Sequence, residues 1–256
     1  MIDKRAVIHP RSVIADDVTI GPYAIVGEGV SIGAGTVIGP HAVLYGPARI
    51  GRHNHIHAFA CLGGDPQDKK YAGEESLLEI GDHNTIREYV TINRGTALGR
   101  GVTTIGDHNW IMAYCHIAHD CVLGKGIVMA NGASLAGHVE IQDHAGLGGF
   151  VLVHQHCRIG THAFLGMGCA ITKDVPPFVL VATDPVQPRG INVVGLQRHG
   201  FSKEQLVRLR RAYRLIYRSG KRLDEVRDAL GDMAAGQPEI AILWNFLKEP
   251  GRGILR

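Results

Sequence analysis

The chain has 256 residues, long enough to bury a substantial core in one large domain or two small ones. It is 45% hydrophobic, as in globular proteins, but its 34 glycines exceed the usual share and indicate many turns. No apolar run approaches the roughly 20 residues of a membrane helix. The start, "MIDKRAVIHP", lacks the apolar region and cleavage site of a signal peptide. We therefore expect a cytoplasmic protein with no integral membrane segment.

The net charge of +3 is unevenly distributed along the chain. Residues 198–256 carry 13 Lys and Arg against 7 Asp and Glu, whereas residues 1–197 carry 14 against 17. The basic part is either a solvated helical face or a docking surface for an acidic partner.

A six-residue period dominates the sequence. Aliphatic residues or Met occupy every sixth position in three runs, 8–62, 80–92 and 105–171. A helix would repeat at 3.6 residues and a simple strand at 2, so each hexad is interpreted as one short strand plus a corner. Three hexads, or 18 residues, then make one coil of a triangular prism whose strands pair in parallel.

A second, smaller inward position lies four residues after each anchor. In the last run Asn109 is its only polar occupant. The position also takes four of the five cysteines: Cys115, Cys121, Cys157 and Cys169. With an odd cysteine count and no CxxC pair, we expect buried thiols rather than a disulfide framework or a structural zinc site.

Two segments interrupt the period, residues 63–79 and 93–104. Insertions in a solenoid form loops on one side, often the functional side, although they can also be tolerated surface extrusions. After Pro176 and Pro177 the period stops.

Helical spacing begins near residue 202. Ser202 and Gln205 form a capping box, Ser219-Gly220 is a helix end, and a break at 234–239 precedes a further helix to about Lys248. We predict a β-helix domain over 1–184 and a helical domain over 185–256.

The 18-residue coil converts sequence spacing into geometry. His119 and Gly137 differ by 18, as do Asp120 and His138, so these residues should stack on adjacent coils. One corner over three coils is expected to collect His119, Asp120, Gly137, His138, His154 and Gln155. Eight histidines take the fourth place of a hexad, where His acts as a turn residue: His41, His53, His83, His108, His138, His144, His156 and His162. His119 and His154 lie off that position.

This corner suggests a chemistry. A neutral imidazole can act as a general base near pH 7. A glycine stacked one coil above leaves its backbone N–H open to a developing oxyanion. A base beside an oxyanion donor suits acyl transfer to a hydroxyl without a covalent enzyme nucleophile.

Several motifs, in order, carry a resemblance to a known family. They are "KYAGE" (70–74), "HIAHD" (116–120), "LAGHV" (135–139), "VHQHCRIG" (153–160), "RHGFS" (198–202), "YRSGK" and the terminal "RGILR". From Met1 to Arg256 the chain resembles the UDP-N-acetylglucosamine O-acyltransferases of lipid A biosynthesis. These are hexapeptide-repeat proteins, and the resemblance implies a left-handed parallel β-helix with a C-terminal α-helical domain.

The resemblance also implies a reaction. An (R)-3-hydroxyacyl chain moves from the phosphopantetheine of acyl carrier protein to the glucosamine 3-hydroxyl. His119 is then the general base, Asp120 orients it, and the Gly137 N–H stabilises the oxyanion. The implied substrate contacts are Asp68, Lys70, His116, His138, His154, Gln155, Asn192 and Arg198.

The expected assembly is a homotrimer with active sites between neighbouring prisms. The basic tail would meet the acidic carrier protein. No cofactor, metal or nucleic acid is expected.

Met167 matches the family's acyl-chain ruler. It lies 48 residues beyond His119, roughly 13 Å along the prism axis at the spacing of paired strands, which suggests a chain of about ten carbons.

The chain differs from the family at four places. Val194 stands where Glu is usual, His199 where Arg is common, Asn93 where His is common, and "ATDP" (182–185) replaces "GNP" or "GNH". A sugar nucleotide with a 3-amine therefore remains an alternative acceptor.

Three other functions are compatible with a hexad repeat of this kind. A γ-type carbonic anhydrase would bind zinc through three histidines, here His116, His119 and His138, but it needs no sugar-nucleotide tail. The N-acyltransferase of the same pathway carries a uridine-binding domain before its repeats, whereas here the repeats begin by Ile8. A non-catalytic solenoid would show a uniform ladder of one residue type.

Overall fold

The chain winds through three parallel β-sheets in turn. The computed structural model describes residues 1–183, 185–249 and 251–256. Over residues 7–182, consecutive strands belong to different sheets, and neighbours within a sheet are one coil apart. The hexad is therefore one short strand plus a corner, as predicted, and the result is a three-sided β-helix.

We name the three faces of the prism sheets I, II and III. Sheet I contains β1 Val7–Ile8, β4 Ile25–Val26, β7 Val43–Leu44, β10 Cys61–Gly64, β13 Thr91–Asn93, β16 His116–Ile117, β19 Ser134–Leu135, β22 Leu152–Val153 and β25 Ala170–Ile171. Sheet II contains β2 Val13–Ile14, β5 Val30–Ile32, β8 Ala48–Ile50, β11 Leu77–Ile80, β14 Val102–Ile105, β17 Val122–Leu123, β20 Glu140–Ile141 and β23 Arg158–Ile159. Sheet III contains β3 Thr19–Ile20, β6 Val37–Ile38, β9 His55–Ile56, β12 Thr85–Ile86, β15 Trp110–Ile111, β18 Val128–Met129, β21 Gly146–Leu147, β24 Phe164–Leu165, β26 Val179–Ala182 and β27 Gln187–Ile191.

The anchors fill the prism in straight rows. Ile117, for example, pairs with Ile92 on one side and Leu135 on the other, and all three are fully buried. Cys115, Cys121, Cys157 and Cys169 are buried free thiols, which confirms their predicted position.

A ladder of polar side chains also runs inside the prism. The Asn54 side-chain oxygen accepts from the Asn84 N–H (2.9 Å), that of Asn84 accepts from the Asn109 N–H (2.9 Å), and that of Asn109 accepts from the Ile127 N–H (2.8 Å). Each Asn side chain thus links its own coil to the next by a hydrogen bond. Asn109 is buried at little cost because its hydrogen bonds are satisfied.

The corners adopt left-handed backbone conformations. All eight histidines predicted as turn residues have positive φ, between 53° and 62°. The turn role expected for them is confirmed, including for His138 and His156 near the candidate site.

Both inserted segments leave the prism at one edge. The first lies between β10 of sheet I and β11 of sheet II, and the second between β13 and β14 of the same two sheets. His119 and Asp120 occupy the corner between β16 and β17, again from sheet I to sheet II. The insertions therefore flank the corner that carries the candidate chemistry.

The C-terminal part holds four helices within the described residues: α1 Val193–Arg198, α2 Lys203–Arg218, α3 Leu223–Ala234 and α4 Pro238–Lys248. The predicted capping box of Ser202 and Gln205 is present at the start of α2. None of these helices combines the length and apolar character that a bilayer span requires.

Two structural features that precede α2 were not predicted from the sequence. The coil continues past Pro177, because β26 pairs in parallel with β24 and β27 folds back antiparallel. Helix α1 was missed because six residues are too few to show a helical period. Asp184, the predicted end of the first domain and part of "ATDP", lies outside the described residues, and the division there stays a prediction.

Candidate active site

His119 and Asp120 form a hydrogen-bonded pair on the shared edge. The His119 Nδ1 lies 2.8 Å from Asp120 Oδ2, and the Asp120 side chain is fully buried. Since an ionised carboxylate only accepts hydrogen bonds, Nδ1 carries the proton and Nε2 is left with a free lone pair. The arrangement makes Nε2 the basic atom of the site.

The second inserted segment holds Asp120 in place. The carboxylate accepts hydrogen bonds from the Thr96 hydroxyl (2.7 Å), the Thr96 N–H (3.1 Å) and the Arg100 N–H (2.9 Å). Burial opposes ionisation, but the hydrogen bonds from His119, Thr96 and Arg100 outweigh it and lower the pKa of Asp120. A Cβ at Gly99 would lie 2.5 Å from this carboxylate, so the loop needs glycine there.

Sequence reasoning did not find Thr96 and Arg100. Its only signal was that insertions gather on the functional side of a solenoid. Which loop atoms meet Asp120 depends on the loop's own conformation, and the repeat does not encode that conformation.

Gly137 lies directly against the His119 ring, as the 18-residue spacing predicted. A Cβ at this position would come within 2.7 Å of Nε2 and 2.6 Å of Cε1. Among the described residues the Gly137 N–H has no hydrogen-bond partner. The residue packed against the basic nitrogen thus has a backbone donor without a partner in the described part of the chain.

Two more histidines surround the pair. The His138 ring packs edge-on to that of His119 with centroids 5.1 Å apart, and it stacks on His156 at 4.5 Å. The His116 Nδ1 lies 2.7 Å from the Thr91 hydroxyl. Burial lowers the pKa of both His116 and His138, so both favour the neutral form. Neutral rings at these positions suit hydrogen bonding to a substrate.

The cysteines next to the corner are unsuited to nucleophilic attack. Burial raises the pKa of Cys115 to about 11 and that of Cys121 to about 12. Both stay as thiols at neutral pH and face inward, and a thiol is not the nucleophilic form.

An apolar groove climbs sheet I from this corner. It has a volume of about 390 Å³, and its lining includes His116, Ser134, Leu152, His154 and Ala170. His154 therefore lines the same groove as His116. Gln155 follows it at the same edge, one coil beyond Gly137, because the His156 N–H bonds to the Gly137 carbonyl.

The first inserted segment brings Asp68 to the same place. Its negative charge favours protonation of His138, although burial dominates and lowers the pKa of that ring. The Lys70 N–H donates to the Asp68 carboxylate at 2.9 Å, and the Lys70 side chain is exposed. Both predicted loop residues thus lie on the edge of the prism that carries His119.

Asn192 and Arg198 lie elsewhere within the single chain. They line a cavity of about 440 Å³ between sheet III and α1, together with Phe164, Leu180 and Val194. Met167 lies at the corner between sheets III and I and is 72% exposed. In one chain these three predicted substrate residues are separate from the His119 corner.

One cluster in the described part of the chain has metal-ligand geometry: His119, Asp120 and His138. It differs from the His116, His119 and His138 set considered for an anhydrase, since His116 is replaced by Asp120. The Asp120 oxygens already accept from Thr96, Arg100 and His119. This saturation favours an orienting role for the carboxylate over metal binding.

His199 belongs to a second histidine cluster. Its ring lies 4.7 Å from that of His162 and 4.8 Å from that of His144. Burial, followed by the charges of His144 and His199, lowers the pKa of His162 to about 4. The cluster lies where the end of α1 meets the prism, next to Arg198.

This lowered pKa predicts acid sensitivity of folding. Between pH 6.5 and about 4 the unfolded chain protonates His162 and the folded chain does not, so the free energy of unfolding falls as the pH falls. Replacing His162 with Asn, which tolerates its φ of 54°, should remove part of this loss. Urea midpoints of unfolding at pH 7 and pH 5 test this prediction. The midpoint should fall further between the two pH values in the wild-type protein than in His162→Asn. An equal fall in both proteins would refute the assignment to His162.

Comparison with known proteins agrees with this geometry. The family profile described as UDP N-acetylglucosamine O-acyltransferase, domain 2, matches residues 174–255. The bacterial transferase hexapeptide profile matches residues 1–34, 29–64 and 103–137.

Relatives match over the whole chain. The acyl-[acyl-carrier-protein]–UDP-N-acetylglucosamine O-acyltransferase of Alkalilimnicola ehrlichii is 56% identical, with 100% of this chain and 99% of that protein covered. The chain belongs to the UDP-N-acetylglucosamine O-acyltransferase family. The enzyme of the same name from Halorhodospira halophila is 55% identical, over 100% of this chain and 99% of that protein. The family resemblance inferred from the motifs is confirmed, and the chain is an acyltransferase.

Solved structures of the family have the same fold. The Francisella novicida UDP-N-acetylglucosamine acyltransferase superposes with a TM-score of 0.98 at 41% identity, covering 100% of this chain and 94% of that one. The Acinetobacter baumannii enzyme gives 0.97 at 43% identity, with 100% and 99% covered. The predicted left-handed parallel β-helix with a C-terminal helical domain is confirmed.

Proposed function

We propose that this enzyme transfers an (R)-3-hydroxyacyl chain from acyl carrier protein to the 3-hydroxyl of UDP-N-acetylglucosamine, in lipid A biosynthesis. Its main support is the His119–Asp120 pair with Gly137 packed against the His119 ring, where the Gly137 N–H has no hydrogen-bond partner among the described residues. The names of the relatives supply the two substrates.

The reaction follows from the geometry of this corner. The sugar hydroxyl attacks the thioester carbonyl while His119 Nε2 takes its proton. The carbonyl oxygen becomes an oxyanion that accepts a hydrogen bond from the Gly137 N–H. The C–S bond then breaks, and the proton passes from His119 to the departing sulfur. Asp120 holds the ring in one tautomer and stabilises the imidazolium between the two steps.

Exposed apolar surface supports a homotrimer. Sheet I presents Val7, Ile25 and Leu152 outward, and sheet III presents Trp110, Val128 and Phe164. Tyr23, Phe59, Tyr89, Tyr114 and Phe150 line the corner between these two sheets and are 45–67% exposed. Contiguous apolar surface of this kind marks an interface.

Sheet II, by contrast, carries charged residues such as Arg49, Glu79 and Glu140 at outward positions. We therefore place the three-fold axis along the corner between sheets I and III. Sheet I of one copy would then face sheet III of the next across a cleft, which would bring the Asn192 and Arg198 cavity opposite the His119 corner. His119, Asp68 and Lys70 would act with a neighbour's nucleotide site. Arg198 suits a diphosphate because its guanidinium can form paired hydrogen bonds.

In this proposal acyl carrier protein is a substrate, and it binds to the basic surface of the C-terminal helices. Helix α2 exposes Lys203, Arg210, Arg211, Arg214 and Arg218. Such a surface attracts an acidic partner and speeds its encounter. The cytoplasmic location and the expected lack of a cofactor stay predictions.

A 3-amino sugar nucleotide is the second candidate acceptor. It is favoured by Val194, which is 59% exposed at the cavity shared by Asn192 and Arg198, where the family usually has Glu. An amine and a hydroxyl would both be deprotonated by the same base, so the His119 corner does not separate them.

A mass-spectrometric assay tests the proposal. The purified protein is incubated with a panel of 3-hydroxyacyl carrier proteins and either UDP-N-acetylglucosamine or its 3-amino analogue. We expect an ester product from the former. Amide product alone would establish the second candidate, and no product from either would contradict both.

Met167 should set the acyl-chain preference. In the cleft between two copies of the chain, a bulky side chain at the height of Met167 would leave room for about ten carbons. Met167→Gly is expected to shift the preferred donor to longer chains in the same assay. Val13→Ala, an apolar truncation at a 70% exposed position on sheet II, is the control and should leave the profile unchanged. An unaltered profile in Met167→Gly would refute the ruler role.

A further inference from the structure

Arg94 is a buried arginine in the second inserted segment, 7% exposed. Its guanidinium donates to the carbonyls of Gly63 (2.6 Å) and Gly46 (3.1 Å) and to the Tyr71 hydroxyl (3.1 Å), and it forms an ion pair with the Asp65 carboxylate. Burying a guanidinium is costly unless its donors are satisfied. Both terminal nitrogens of Arg94 have partners, whereas its buried Nε has none among the described residues. The four contacts indicate a structural role for Arg94.

Among the partners of Arg94, Gly63, Asp65 and Tyr71 belong to the first inserted segment, whereas Gly46 lies in the corner between β7 and β8. The preceding residue adds another hydrogen bond between the two segments, since the Asn93 side-chain amide donates to the Asp65 carbonyl at 2.7 Å. The Arg94 N–H donates to the Gly64 carbonyl at 3.0 Å. The segment held in this way carries Asp68 and Lys70.

The same short stretch of chain also reaches the catalytic pair. Two residues after Arg94, the Thr96 hydroxyl and N–H donate to the Asp120 carboxylate. Residues 93–96 are all buried. One rigid stretch thus connects the loop bearing Asp68 and Lys70 to the residue that orients His119.

We propose that Arg94 is a positioning residue that fixes the Asp68 and Lys70 loop against the His119 corner, through Asp65 and Tyr71. The proposal rests on the proposed function, in which Asp68 and Lys70 contact the sugar nucleotide. Arg94 itself contacts no reacting group. Its loss should therefore weaken acceptor binding more than it slows the chemical step.

The test compares Arg94→Met with the wild-type enzyme in steady-state assays. The KM for UDP-N-acetylglucosamine should rise roughly tenfold, the scale of one lost charged hydrogen bond, while kcat changes little. Backbone hydrogen exchange should accelerate in residues 65–76 and stay unchanged in the hexads of 105–171.

Two further variants keep the test decisive. Tyr71→Phe removes one hydroxyl partner without leaving an unpaired charge, so it should fold and raise KM in the same direction by a smaller factor. Arg49→Met is the matched control, because the Arg49 side chain is 69% exposed on sheet II and forms an ion pair with Glu79. It should change neither KM nor exchange.

Three outcomes would overturn the proposal. The first is unchanged KM and exchange in a folded Arg94→Met, or in Tyr71→Phe where Arg94→Met does not fold. The second is a fall in kcat with KM unchanged. The third is faster exchange throughout residues 105–171, which indicates general destabilisation. A wild-type enzyme without product would instead contradict the proposed function, while the exchange experiment would still test the hold on the loop.

Discussion

His119→Ala is expected to lower kcat by about 10²- to 10⁴-fold, the usual contribution of a positioned general base. The fold should survive, because the backbone hydrogen bond from the His138 N–H to the His119 carbonyl does not involve the side chain. Asp120 would also keep its bonds from Thr96 and Arg100. Steady-state kinetics and a thermal melt measure the two effects separately.

A matched histidine provides the control for that variant. His108 is a turn residue with a φ of 57° and stacks on His83 away from the site. His108→Asn should keep its turn and its full activity. Wild-type turnover in His119→Ala would remove His119 from the role of base.

Gly137→Ala is expected to lower kcat by about 10²-fold, because small displacements of a catalytic group can cost that much. The added methyl would lie 2.7 Å from His119 Nε2 and 2.6 Å from Cε1, so the ring must move. The backbone at Gly137 is not among the positive-φ positions and accepts alanine without strain. The effect should therefore appear in turnover and hardly in stability.

Gly149→Ala is the comparison for this steric argument. A Cβ there would meet nothing closer than the Asn131 carbonyl at 3.4 Å, an ordinary contact, and its φ is likewise not positive. It should behave as the wild-type enzyme does. If Gly137→Ala also kept the wild-type kcat, the contact between Gly137 and the His119 ring would not be required for catalysis.

The repeat made much of the site predictable. Once a coil is 18 residues, the contact of Gly137 with His119 follows by counting, as does the stacking of His138 on His156. The inward cysteines and the turn histidines follow from the same frame. A strict period encodes three-dimensional neighbours because each coil repeats the backbone of the last.

In the segments that lack the six-residue period, the sequence did not predict the contacts of individual side chains. The hydrogen bonds of Thr96 and Arg100 to Asp120, and of Arg94 to the first loop, depend on irregular backbone that no spacing rule describes. Helix α1 is too short to show a period of its own. In our proposal Asn192 and Arg198 would meet the His119 corner only through a second copy of the chain, and the spacing of one sequence does not describe contacts between copies.

The most direct test of direct transfer by the His119 corner is a single-turnover experiment followed by intact-protein and product mass spectrometry. The enzyme is mixed with (R)-3-hydroxydecanoyl carrier protein, with and without UDP-N-acetylglucosamine. We predict that ester at the sugar 3-oxygen appears in one phase while the enzyme's mass never changes, and that nothing forms without acceptor. An acylated enzyme that decays into product, or no product at all, would contradict the account.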